Sequence, residues 1–197
     1  MNNAQILKEF EDAEAILKGH FILSSGLRSD TYLQCARVLM NPNRAERLCK
    51  ALAEKIKSQL SNLTIDMVVS PAMGGVVVGF ELARQLNVES LFCERVDGVF
   101  NLRRGFNIPK GAKILVVEDV VTTGKSSIET FECIKQNGGE VVAEACLIDR
   151  SNGKANLGVP LISLMQLEVA TYDPNNLPEH LKNIPAIKPG SRPTPAI

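Results

Sequence analysis

The sequence predicts an α/β fold: an open parallel sheet with helices on both faces and a small N-terminal cap. Three observations lead there. Short runs such as "IDMVVS", "AKILVVE" and "EVVAEACLI" are apolar with little alternation, the pattern of strands buried on both faces. Segments with apolar residues at helical spacing lie between them. Turn residues punctuate the joins, as successive right-handed strand–helix–strand crossovers require.

The elements follow in chain order. Residues 3–18 place Ile6, Leu7, Phe10, Ala13, Ile16 and Leu17 at helical spacing, and Gly19 supplies a stop. "HFILSSGLRSDTYLQC" reads as two short extended pieces around a Ser-Gly turn. A helix over 42–60 starts well, because Asn41 can cap it and Pro42 fits the first turn. "IDMVVS" is then a strand, 75–86 a helix and "ESLFC" a strand, and 96–109 is a loop too polar and Gly-rich for the core. "AKILVVE" is a longer strand, 126–136 a helix closed by Asn137-Gly138-Gly139, and "EVVAEACLI" another strand. From Tyr172 prolines accumulate, so "IPAIKPGSRPTPAI" reads as an irregular tail. The expected organisation is one domain over 1–197, with a cap over 1–39, an α/β core over 40–172 and a Pro-rich segment over 173–197. No internal repeat is visible.

Bulk composition excludes several classes. Lys plus Arg and Asp plus Glu are equal at 22 each, so no global field recruits nucleic acid or an anionic membrane. No apolar run approaches the roughly 20 residues that span a bilayer. The N-terminal "MNNAQILKEFEDAEA" carries early acids and lacks an apolar core, unlike a signal peptide, so a cytoplasmic location is expected. Five cysteines form no CxxC pair and read as reduced, mostly buried thiols. His20 and His180 are the only histidines, so no zinc site is expected.

Chemistry concentrates in "ILVVEDVVTTGKS". Glu118 and Asp119 end an aliphatic run, at the edge where open parallel sheets bind ligands. The turn that follows offers successive backbone N–H groups, the hydroxyls of Thr122, Thr123 and Ser126, and a helix N-terminus, which together suit an anion. Gly124 lets that backbone turn tightly. A phosphate in the cradle and acids on hydroxyls is the arrangement for a sugar phosphate. A nucleoside triphosphate loop is excluded, because the glycine it needs five residues before Gly124 is Asp119. A second stretch, "VVSPAMGGVVVG", is a strand, a small-residue loop and a helix start. Gly74 and Gly75 would let its N–H groups approach a ligand.

"VVEDVVTTGKS" resembles the 5-phosphoribosyl-1-diphosphate signature of the type I phosphoribosyltransferases. The resemblance implies that Glu118 and Asp119 hold the ribose 2′- and 3′-hydroxyls. Val120 and Val121 belong to the same signature, and Thr122, Thr123, Gly124, Lys125 and Ser126 would bind the 5-phosphate. Ala72, Met73, Gly74 and Gly75 resemble the diphosphate loop, where a non-proline cis bond is common and would fall near Ala72-Met73. "GHFILSSGLRSDTYLQC" and "CLIDRSNG" resemble the orotate members, over roughly residues 13–172. That likeness puts Ser24, Thr122 and Arg150 on orotate, with Arg150 aimed at its carboxylate. A guanidinium fork is a permanently charged match for a carboxylate.

The implied reaction joins orotate to phosphoribosyl diphosphate, with Mg²⁺ carried by the diphosphate. It gives orotidine 5′-monophosphate in de novo pyrimidine (UMP) biosynthesis. Catalytic roles fall to Asp119 and to Arg95, which matches the family's loop arginine and, in a homodimer, would reach the partner's site. The chain departs from many relatives at Ser24 and Gly74, where they carry lysine, and its loop "ERVDGVFNLRRGF" has only Arg95, Arg103 and Arg104 as cations. A uracil or purine enzyme would share Glu118 to Ser126 without needing Arg150 or the cap. A regulator on the same fold usually adds a nucleic-acid-binding domain or a basic face, against which the balanced charge argues.

Overall fold

The computed structural model describes residues 1–23 and 25–189. At its start, the Asn2 side chain accepts from the Gln5 N–H while the Gln5 side chain accepts from the Asn2 N–H, so α1 (Asn3–Asp12) opens with two orphan donors satisfied. The helix ends at Asp12, not at Lys18. Ile16 and Leu17 instead open β1 (Ile16–Ile22), which pairs antiparallel with β2 (Arg28–Leu33). Gly19 is therefore no helix stop. It lies where the β1–β2 register shifts between Lys18 and Phe21. A short α2 (Cys35–Leu39) follows, then α3 (Pro42–Gln59), whose Asn41 side chain accepts the Arg44 N–H as expected.

Six strands make the main sheet: β3 (Met67–Pro71), β4 (Glu89–Val96), β5 (Val99–Leu102), β6 (Lys113–Val121), β7 (Glu140–Asp149) and β8 (Leu161–Gln166). Their order is β5-β4-β3-β6-β7-β8, and all neighbours run parallel except β5 against β4. The predicted 96–109 loop is thus partly sheet. Asp97 and Gly98 both take positive φ and turn β4 straight back into β5, the backbone of a tight hairpin. Phe100 is buried there with Cys93 and Cys133.

Helices cover both faces, as the sequence predicted. α3 and α4 (Gly74–Leu86) bury Leu48, Leu52, Val78 and Leu82 in one core with Val68, Leu115 and Val117. On the opposite face Ile134 of α5 (Lys125–Gln136) packs with Val69, Ile114 and Val116. Strand alternation divides the aliphatics between these two cores. All five cysteines are free and buried.

The C-terminal segment is less loose than the prolines imply. Tyr172 exchanges backbone hydrogen bonds with Arg28, and Ile187 bridges His20 and Ile22 of β1. The short α6 (Glu179–Lys182) buries Leu181, and the His20 ring hydrogen-bonds the Ile184 carbonyl at 2.8 Å. Residues 170–187 therefore tie down the cap; 190–197 lie outside the described residues. Among the described residues no helix is long and apolar enough to cross a membrane.

Candidate active site at the switch point of the sheet

From β3 the chain proceeds outward to β4, and from β6 it proceeds the other way to β7 and β8. The loops leaving these two adjacent strands diverge, which opens a crevice at their carboxyl ends. The acid pair and the small-residue loop meet there.

The acids sit within β6 rather than beyond it, because the strand continues to Val121. Alternation sends them to opposite faces. Glu118 points to the α5 face, in register with Cys146, while Asp119 lies against the start of α4. A Cβ at Gly74 would stand 3.2 and 3.3 Å from the Asp119 carboxylate oxygens, so Gly74 leaves room for that acid. Gly75 does something other than expected: its Cβ would meet the Val117 carbonyl at 2.9 Å, so it lets α4 pack on the sheet. The Ala72-Met73 peptide is cis, at the bond the family resemblance implied. Burial pushes both carboxyls up. For Glu118 the charges of Glu144 and Asp119 add to this, against the Ser127 hydroxyl and the Arg95 guanidinium. For Asp119 the Val120 N–H, which donates to Oδ1 at 2.9 Å, opposes it.

Gly124 takes φ +76 as the N-cap of α5, and a Cβ there would stand 2.6 Å from Leu157 Cδ2. The position thus needs glycine for conformation and for room. Gly124→Ala should lower stability by about 1–3 kcal/mol, read as a lower urea midpoint at unchanged slope. Around it Thr122, Thr123 and Lys125 are exposed, and Thr123 Oγ1 accepts the Lys125 N–H at 3.4 Å. Beyond that long contact, the Gly124 N-cap brings no side chain to the helix, so the N–H groups of Ser126 and Ser127 stay available.

Arg150 follows β7 directly, and its N–H donates to the Val121 carbonyl at 2.8 Å. It stands beside the phosphate turn. Its Nε is buried without a partner among the described residues, and burial lowers its pKa against the pull of Tyr32 and Cys35. Tyr32, on β2, is pushed up by burial and by Asp119. One neighbourhood therefore joins the cap, the acid and the arginine. Tyr32 escaped the sequence reading, although it is one of only two tyrosines and lies in the quoted cap segment. Ser24 lies outside the described residues.

Arg95 is not brought to Asp119. At the end of β4 it pairs with Glu129 of α5, donates to the Gly98 carbonyl at 2.7 Å and covers the Phe100 ring at 4.0 Å. Arg103 and Arg104 flank Glu94 at 3.4 and 2.9 Å. All three loop cations are thus held on acids or rings of their own chain.

One buried acid was missed. Glu144 sits in β7 with its Oε1 accepting from Ser127 Oγ at 2.7 Å, and burial pushes its carboxyl up to about 7. Glu118 shifts the same way. Folded-state values above the unfolded ones mean that these groups take up protons on folding, so their contribution to stability is fully present at low pH and is lost as pH rises from about 4.5 through about 7. Glu144→Gln, which cannot ionise, should flatten part of that fall in denaturation midpoints measured across the window.

The phosphoribosyl transferase domain model matches residues 37–159. The orotate phosphoribosyltransferase of Rhizorhabdus wittichii is 58% identical over 192 residues, covering 98% of this chain and 97% of that protein. The orotate phosphoribosyltransferase of Erythrobacter litoralis is 55% identical, with 98% and 99% covered. The crystal structure of orotate phosphoribosyltransferase from Aeropyrum pernix superposes with a TM-score of 0.67 at 29% identity, over 82% of this chain and 93% of that one. An adenine phosphoribosyltransferase superposes at 0.64 with 18% identity, over 81% and 99%, and so shares the fold alone. The chain belongs to the orotate phosphoribosyltransferases, within the phosphoribosyl transferase domain family.

Proposed function

We infer that this chain transfers the 5-phosphoribosyl group from 5-phospho-α-D-ribose 1-diphosphate to orotate, giving orotidine 5′-monophosphate and diphosphate in de novo pyrimidine (UMP) biosynthesis. One observation carries the reading. At a single sheet edge stand a helix N-terminus with a glycine cap for a phosphate, two half-buried acids for ribose hydroxyls and a half-buried arginine whose Nε has no partner among the described residues.

Each group has a task. The turn 122–126 takes the 5-phosphate on the N–H donors of α5. Asp119 and Glu118 accept the ribose hydroxyls, and ligand hydroxyls and cations would offset the burial cost of their charges. Arg150 and Thr122 take the base, with the cap residues around Tyr32 closing over it. Orotate attacks as an anion, so no strong general base is needed. Positive charge builds at the ribosyl C1, where Asp119 stabilises it. The 72–75 loop offers donors to the departing diphosphate. Among the described residues no group of three or more His, Cys, Asp or Glu could hold a metal ion. Mg²⁺ would enter as a companion of the diphosphate, mostly ligated by phosphate and water, with the Asp119 carboxylate beside Gly74 of the loop. Bound there, it would neutralise charge on the leaving group. Incubation with both substrates and Mg²⁺, analysed by mass spectrometry, should give nucleoside 5′-monophosphate and diphosphate in equal amounts. Diphosphate without nucleotide would mean that the enzyme only hydrolyses the sugar.

A homodimer with shared sites completes the proposal. Met73, Val77 and Phe80 follow one another along one side of α4 from the diphosphate loop and are 77%, 50% and 65% exposed. Such an apolar stripe suits a second copy. Arg95 would leave Glu129 to reach across, and a surface pair of that kind costs little to break. Arg95→Ala and Asp119→Asn should each be nearly inactive, and a mixture that exchanges subunits should recover activity. Exchange without recovery contradicts the shared site. Cytoplasmic location is part of the same proposal, in keeping with the substrates.

A further inference from the structure

The first turn of α5 has to satisfy two opposed needs. Its N–H groups must remain open to donate to a phosphate, and Gly124 at the N-cap brings no side chain to them. Yet a turn without a cap frays easily, and a frayed turn binds an anion poorly. The structure holds the turn from behind. Ser127, the third helical residue, is buried, and its hydroxyl donates to Glu144 Oε1 at 2.7 Å.

Glu144 stands on β7 in register with Val116, on the same face as Glu118 two residues further along β6. It is 0% exposed, and its Oε2 is buried with no partner among the described residues. A carboxyl with an idle oxygen inside "VVAEACLI" costs stability that valine would not. Its one hydrogen-bond partner is the helix that starts at the phosphate turn. A local cost of this kind, linked to the site, marks function rather than packing.

We propose that Glu144 is a positioning residue for the 5-phosphate cradle, fixing the first turn of α5 through Ser127. This rests on the reading of residues 122–126 as the phosphate site. Only an acceptor for the Ser127 hydroxyl is required. The raised carboxyl value agrees, since an uncharged group serves equally and glutamine can replace it.

The test uses ribose 5-phosphate as the probe, titrated calorimetrically into the wild-type protein, Glu144→Val, Glu144→Gln, Ser127→Ala and the Val/Ala double variant. Glu144→Val and Ser127→Ala should each weaken binding about three- to tenfold, the worth of one hydrogen bond. The double variant should be no worse than Ser127→Ala alone, because removing the hydroxyl already removes the whole Ser127–Glu144 contact. Glu144→Gln should stay within about twofold of wild type, and the Michaelis constant for orotate should hold in every variant. A lower Tm with wild-type affinity in Glu144→Val would mark a purely structural residue and overturn the proposal. So would additive losses in the double variant. If Glu144→Val does not fold, Ser127→Ala and Glu144→Gln decide alone. Failure of the wild-type protein to bind ribose 5-phosphate would take down the phosphate reading of the turn as well, whereas binding that no variant alters removes only the role of Glu144.

Discussion

Asp119→Asn should cut turnover roughly 30- to 1000-fold, the equivalent of about 2–4 kcal/mol of transition-state stabilisation. The fold should survive intact. Asparagine matches the shape that Gly74 leaves open, and its carbonyl can still accept the Val120 N–H. Burial already disfavours the charge on Asp119 in the folded protein without ligand, so a neutral isostere should leave stability equal or slightly higher. What disappears is the negative charge at the ribosyl centre as positive charge grows there. The check is kcat together with a denaturation midpoint. Near wild-type turnover in a folded variant would remove Asp119 from the reaction.

Arg150→Ala should raise the Michaelis constant for orotate by about one to two orders of magnitude, the worth of a charge-assisted fork at roughly 1.5–3 kcal/mol. Arg150 is already partly desolvated, with Nε lacking a partner among the described residues, so part of the cost of burying the guanidinium is met before orotate arrives. Phosphoribosyl diphosphate should bind nearly as before, since its cradle is built from another turn. Uracil has no carboxylate to lose and should be used as poorly as by the wild-type enzyme. An unchanged orotate value with a raised value for the sugar diphosphate would assign Arg150 to the phosphate site.

Legibility in the sequence followed how local each cause was. The turn from Glu118 to Ser126 could be read because a strand end, an acid pair and an αL glycine are specified by adjacent residues. The helix behind Asn41 could be read for the same reason: its cap lies three residues from the N–H it serves. Ile16 and Leu17 misled, because their spacing from Phe10 and Ala13 suits a helix as well as it does the start of a strand. Pairing with β2 decided the matter, and that is a tertiary fact. The β5 hairpin carried its own signal in Asp97-Gly98, but only Phe100 of the strand is buried, so its apolar pattern was too short to stand out. β8 was likewise overlooked, as "LISLMQ" is a brief apolar run behind a Gly-Val-Pro turn.

In the site, Arg95 was found by position, yet its partner Glu129 lies 34 residues away and no local pattern joins them. Glu144 carries no local signal, because it is the β6–β7 register and α5 that enclose it. Tyr32 gained its place only when the cap folded over Arg150 and Asp119. Residue types that chemistry constrains were visible, and residues made important by long-range packing were not.

Diphosphate release from the sugar diphosphate and Mg²⁺, measured with orotate, uracil, hypoxanthine and adenine in turn, tests the central claim most directly. A site whose half-buried arginine needs a carboxylate should release diphosphate at least about a hundredfold faster with orotate than with any other base. Release with uracil or a purine at a rate equal to or above that with orotate would contradict it.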